Sequence, residues 1–250
     1  MIEVVEVPRL KAYTRLLVGL LEGESFDRLF LPLPRGLEER FVESLLSGRD
    51  PSELLGSETG FPPKAYSHLS PLYEYLRSSA ARGGPELVFY KSRRSVEGAL
   101  RFAREAVALL ALAVVADDVP TERWLRLLSR AGESVREDAE FIALRAEGRS
   151  LVVCQWGSRL AEELKRKGAD VRKARLAPYV PLPLESLAAL KSPSPGDVER
   201  LVRDHARFVS RYLLLSRDLD EAYLAWLLGE KPQGYEEVLA LVRRRAEGLG

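Results

Sequence analysis

The sequence predicts an α/β protein: a mostly parallel sheet with helices on both faces and a helical C-terminal extension. Three observations predict it. Short apolar runs at 28–33, 86–90 and 151–156 each give way to a helical pattern, as in parallel sheets covered by helices. Strand 151–156, helix 158–167 and strand 170–176 follow one another through short turns, a βαβ unit whose strands run parallel. Beyond 197 the pattern is helical throughout. The expected division is an α/β domain over 1–190 and a helical segment over 197–250, packing on that domain or on a partner. KSPSPGD at 191–197 reads as the linker.

Taken in order, IEVVEV at 2–7 alternates apolar and acidic residues and predicts a short strand. Pro8 opens a helix to about Leu21, with Leu10, Tyr13, Leu17, Leu20 and Leu21 as its apolar stripe. RLFLPLP at 28–34 predicts a strand whose prolines place it at an edge or at a strand end, because proline donates nothing to a ladder. An amphipathic helix follows over 36–48, with Gly48 as its stop. Residues 49–71 break every period and predict a long loop with one helical turn at Pro51–Leu55. Ser70 and Pro71 start a short helix to residue 80, and ELVFY at 86–90 is the clearest early strand. Helices are expected over 95–115, from Asp118 to about 131, and over 133–147. PYVPLPLE, from Pro178, reads as extended.

Composition limits the function classes. With Lys+Arg 38 against Asp+Glu 37 the charge is balanced, which argues against a wholesale nucleic-acid or membrane-surface binder. AVALLALAVVA at 106–116 is the longest apolar run and is too short to cross a bilayer. No secretory leader opens the chain, so a cytoplasmic location is expected. Cys154 is the only cysteine, which excludes an intrachain disulfide, and its strand context predicts a small buried hydrophobe. The absence of Asn, the single Met and the abundance of Arg and Glu predict a thermophilic source.

No phosphate-loop, dinucleotide, zinc-protease or calcium-loop pattern is present, so no cofactor is identified. Gly157-Ser158 lacks the flanking glycine of a nucleophile elbow. Only His68 and His205 could serve such a serine as base; His205 sits at packing spacing with Leu201 and Phe208. Ser158 is instead expected to cap the following helix. The remaining signal is cationic. Arg35, then Lys91, Arg93 and Arg94, then Ser158 and Arg159 lie in loops that leave predicted strands. In a parallel sheet these loops share the carboxyl edge, where ligands bind, and helix N-termini there attract anions. A phosphate-containing or other anionic ligand is the expected partner at this edge, bound without catalysis. A hydrolase using an acid or His68 in the 49–71 loop, and a structural subunit contacting a protein partner through C-terminal helices with Tyr212, Tyr223 and Trp226, are the alternatives.

Within residues 133–177, ESVREDAEFIALRAEGRSLVVCQWGSRLAEELKRKGADVRKA resembles the C-terminal core of the TraB/ChaN/erythromycin-esterase-like superfamily. DRLFLPLPRGLEERF resembles that superfamily's early strand and turn. The two stretches cover about a third of the chain. The resemblance implies histidines where this sequence has Ser158 and Val7-Pro8, and an acid where it has Leu33, leaving Arg35 as the match. What it implies here is the scaffold without the hydrolytic or metal-binding constellation.

Overall fold

The computed structural model describes residues 1–80, 83–130 and 135–240. The chain divides into two compact units, residues 1–100 with 132–176, and residues 101–131 with 177–250. The helical unit therefore takes in more than the 197–250 segment expected for it, and the 190/197 division falls inside it.

The first unit is built on five parallel strands: β1 (Ile2–Val7), β2 (Arg28–Pro34), β3 (Glu86–Lys91), β4 (Ser150–Gln155) and β5 (Val171–Arg175). Their order is β3-β2-β4-β1-β5. Between them lie α1 (Lys11–Gly23), α2 (Glu38–Leu46), α3 (Pro51–Thr59), α4 (Ser70–Ala80), the start of α5 (Arg93–Val115), then, past α6 (Thr121–Arg130), α7 (Val135–Arg145) and α8 (Leu160–Arg166). Strand alternation sorts the core into two layers. Val4, Phe30, Val88, Tyr90, Val152 and Cys154 face Ala139 and Ile142 of α7 and Leu160 and Leu164 of α8. The opposite face buries Val5, Leu29, Leu31, Phe89 and Val153. There the α2 residue Phe41 meets Phe89 edge-on at 5.1 Å and Tyr73 at 5.6 Å.

Both outer strands are protected. β5 carries Arg172, Lys173 and Arg175, and Lys173 reaches across to Glu6 at 2.8 Å. On β3, the Phe89 N–H that no strand accepts donates to the Glu38 carboxylate of α2 at 2.9 Å.

β2 is an inner strand, and its prolines mark its end. It pairs with β4 only over Arg28–Phe30, and its register with β3 shifts between Leu31 and Pro34. Residues 49–71 depart from the expected loop. Asp50 caps α3 by accepting from Ser52 N at 2.9 Å, Pro51 takes the first helical position, and Gly60 at φ 74° ends it. A 3-10 helix over Pro63–Leu69 then runs directly into α4, so Ser70 is helical rather than a cap. Pro51, Gly60, Pro62, Pro63 and Pro71 stand at helix boundaries, while Gly56 lies inside α3, where Pro63 comes close to its Cα.

The second unit holds the rest of α5, α6, α9 (Pro183–Ala189), α10 (Pro195–Arg211), a 3-10 turn at Leu213–Leu215 and α11 (Leu219–Glu230). α9 starts inside the stretch expected to be extended, taking its last three residues, 183–185, and the end of the expected linker is the start of α10. Ser194 and Asp197 form a reciprocal capping box there. Trp124, Leu127, Leu187, Val198, Leu201 and Val202 are core residues of this unit, with Leu109 of α5 among them. No helix among the described residues is long and apolar enough to cross a membrane.

Candidate functional site

Because all five strands are parallel, their carboxyl ends lie on one rim, and the loops leaving β3, β2 and β4 are neighbours on it. The rim is not an open set of cations. Its centre is a carboxylate, Asp138 of α7, which is fully buried. Lys91 Nζ donates to Asp138 Oδ2 at 2.8 Å, and Arg35 Nη2 lies 3.6 Å from Oδ1. Asp138 Oδ1 also accepts from Ser95 Oγ at 2.9 Å and from Ser92 N at 3.3 Å. Ser92 in turn accepts from Ser95 N at 3.1 Å, which caps α5. The anion seat expected at this helix start is thus filled by a side chain of the same molecule.

Arg35 is fixed further. Its Nε donates to Tyr90 O at 2.9 Å, its guanidinium lies 3.9 Å over the Phe141 ring, and Glu137 stands 3.7 Å away. Two cations and two acids make this cluster neutral overall. Arg93 is exposed and pairs with Glu97 one turn on at 2.8 Å. Arg94 and Arg159 are exposed, and neither guanidinium has an acid at ion-pair distance among the described residues.

The β4 turn differs from expectation in one respect. Ser158 N donates to Gln155 O at 3.1 Å, closing a turn in which Gly157 adopts φ 74°. Nothing crowds a side chain at Gly157, so the backbone conformation alone asks for glycine. Ser158 Oγ accepts from Leu160 N at 3.3 Å, but the residue at the N-cap is Arg159, which makes no side-chain cap bond. Ser158 orders the turn ahead of the helix rather than capping it. α2 and α8 also carry acids in their first turns, Glu38 and Glu39, and Glu162 and Glu163, which offset the pull of those helix ends on an anion.

Asp138 and Arg9 are the residues that sequence reasoning missed. Asp138 was legible: in VREDAEFIALR it shares the face of Val135, Ala139 and Ile142, an acid set one turn apart from apolar neighbours on both sides. Arg9 follows β1, a fourth loop on the same rim, and its Nη2 donates to Gln155 Oε1 at 3.1 Å.

Compared with protein-family models, curated proteins and solved structures, the chain shows no match.

The histidines are packed. His68 lies in the 3-10 helix, its Nδ1–H directed at Ala65 O at 3.1 Å. Burial, with the Arg9 charge nearby, pushes its pKa down to about 4. His205 in the second unit packs 5.5 Å from the Phe208 ring, and burial pushes it down to about 4 as well. Burial pushes the Cys154 thiol up to about 12, which leaves it a neutral core residue. Among the described residues no group of three His, Cys, Asp or Glu is placed to hold a metal. The basic run Arg243-Arg244-Arg245, which with Glu236 and Glu237 nearby reads in the sequence as a solvated face, lies outside the described residues. A groove of about 890 Å³ runs along α2, lined by Glu38, Val42, Leu45, Leu76 and Leu87. It has an apolar floor, and its one tied acid, Glu38, is spent on the Phe89 amide.

The two imidazoles give a pH dependence whose sign follows from their depressed values. Each is neutral in the folded chain and takes up a proton on unfolding below about pH 6.5. Their contribution is therefore full above pH 6.5 and is lost as the pH falls toward 4. Urea melts are expected to show roughly 1–2 kcal/mol lost per imidazole by pH 5, where most carboxylates remain ionised. His68→Gln and His205→Gln should each flatten that slope; an unaltered slope in both would contradict the burial.

Proposed function

We propose that the chain binds an anionic, phosphate-bearing ligand at the carboxyl rim of its sheet and does so without catalysis. The supporting observation is the pair Arg94 and Arg159, exposed and without an acidic partner among the described residues. Arg94 stands in the first turn of α5, which starts at Arg93 rather than beyond the expected loop, and Arg159 at the N-cap of α8, after the two strands that flank β2. β3 and β4 are two strand spacings apart, about 10 Å, a gap over which two long guanidinium side chains can converge on one phosphate or pyrophosphate. The Ser158 hydroxyl accepts from Leu160 N and also hydrogen-bonds the Cys154 thiol, so a ligand would compete with that sulfur for its proton. In this reading Arg35 and Lys91 hold the floor through Asp138 and lend it residual positive edges, while Arg93 answers to Glu97. Ser158 and Val7-Pro8, standing where the resembled superfamily carries histidines, are in keeping with binding rather than hydrolysis.

Calorimetric titration with inorganic phosphate, pyrophosphate and ADP at low salt tests this reading. The unaltered chain is expected to bind at least one of them, and Arg94→Ala with Arg159→Ala to weaken it about tenfold or more, consistent with loss of charge-assisted bonds. Both sites are exposed, so the melting temperature should move by no more than a few degrees. Equal affinity in the double variant, or no binding by the unaltered chain, removes the proposal.

A further inference from the structure

The apolar run 106–116 is not absorbed by any role above. It forms the second half of α5, within the helical unit. One side of it is core: Leu109 is fully buried and Ala113 nearly so, with Phe102 and Ala106 packed beside them. The opposite side is apolar too, and exposed. Val107 is 67% exposed and Val115 85%, with Val114 and Leu112 beside them and Ala108 and Ala111 between. A helix that is apolar all round is ordinarily covered all round. Here a stripe at 107, 108, 111 and 115, the spacing of one helix face, is exposed and left uncovered by the other described residues.

The ends of the stripe carry opposite charges. Arg104 lies one turn before Val107, and Asp118 lies just past the helix end, where Asp117 turns the chain at φ 52°. Asp117 is engaged by Arg203. Arg104 and Asp118 are exposed and have no ion-pair partner among the described residues. We infer that this face binds a second copy of the chain, α5 against α5 in antiparallel orientation, about a two-fold axis at Ala111.

The register follows from that axis. Val107 faces Val115 of the other copy, Ala108 faces Val114, and Ala111 faces Ala111 with no bulk to hold the helices apart. Arg104 then meets Asp118 at both ends of the interface, and each arginine also sits at the carboxyl end of the opposing helix, where a cation is favoured. An isologous pairing uses one patch twice and needs no second complementary surface. The stripe from Val107 to Val115 is about 12 Å long, short for a permanent dimer, so association is concentration-dependent.

Sedimentation equilibrium of the full chain from micromolar to about millimolar concentration reads this out. The mass is expected to climb from the 28.0 kDa of one chain toward twice that value. Ala111→Glu places like charges on the axis and should return the chain to a monomer throughout. Arg104→Glu alone and Asp118→Arg alone should each weaken association several-fold, and the two together should restore it. All three substitutions lie on exposed positions, and circular dichroism confirms that each variant is folded. A monomer at every concentration overturns the inference, and so does a dimer indifferent to Ala111→Glu. Failure of the charge exchange to restore association overturns the antiparallel register. None of these readings depends on the carboxyl rim.

Discussion

Asp138→Ala is expected to lower the free energy of unfolding by about 3–5 kcal/mol, the usual cost of breaking a buried ion pair from one side. The variant leaves the Lys91 ammonium and Ser92 N–H without their buried acceptor and removes the carboxylate that tethers α7 to the start of α5. The companions fix the interpretation. Asp138→Asn keeps an acceptor for Ser92 N and Ser95 Oγ but not the charge, and should cost less. Lys91→Met should cost least, because Arg35 and the two serine contacts still serve the carboxylate. Denaturant melts at neutral pH give this ordering directly. An Asp138→Ala loss of less than about 1 kcal/mol would show that the cluster is solvated and that its cations are available to a ligand.

Phe41→Ala is the second large effect. The ring is fully buried and makes edge-on contacts with Phe89 and Tyr73, so its removal leaves a cavity between α2, α4 and the sheet. Losses of such rings run to about 3–5 kcal/mol, whereas Phe41→Leu should cost much less by keeping most of the volume. The midpoint of a guanidinium melt should fall with its slope unchanged. A change in slope instead would mean that α2 leaves the sheet independently of the rest of its unit.

Much of the architecture was legible because it rests on local periodicity. The strands at 2–7, 28–34, 86–90 and 150–155 carry apolar runs that only a covered sheet accommodates, and Gly48 ends α2 in the expected left-handed turn. The failure at 49–71 has a physical cause: proline at a first helical position and glycine at a helix end leave the same mark in sequence as proline and glycine in a loop. The second unit was obscured for another reason. Its core joins α5 and α6 to α10 across about 70 residues of intervening chain, a pairing that periodicity does not encode. At the rim, loop cations could be counted from the sequence, but their partners could not. Asp138 reaches Lys91 and Ser95 from more than 40 residues away, and that contact decides which of the cations are free.

The carboxylate that Glu38 lends to Phe89 has a meaning for the life of the molecule in a crowded solution. An unpaired amide on a border strand invites a stranger's backbone to continue the ladder, the first step in fibrous association. By answering that amide with a side chain of its own, the protein closes its sheet to newcomers at this point. The solubility of the fold therefore rests in part on a helix whose more visible task is to cover the hydrophobic layer beneath it.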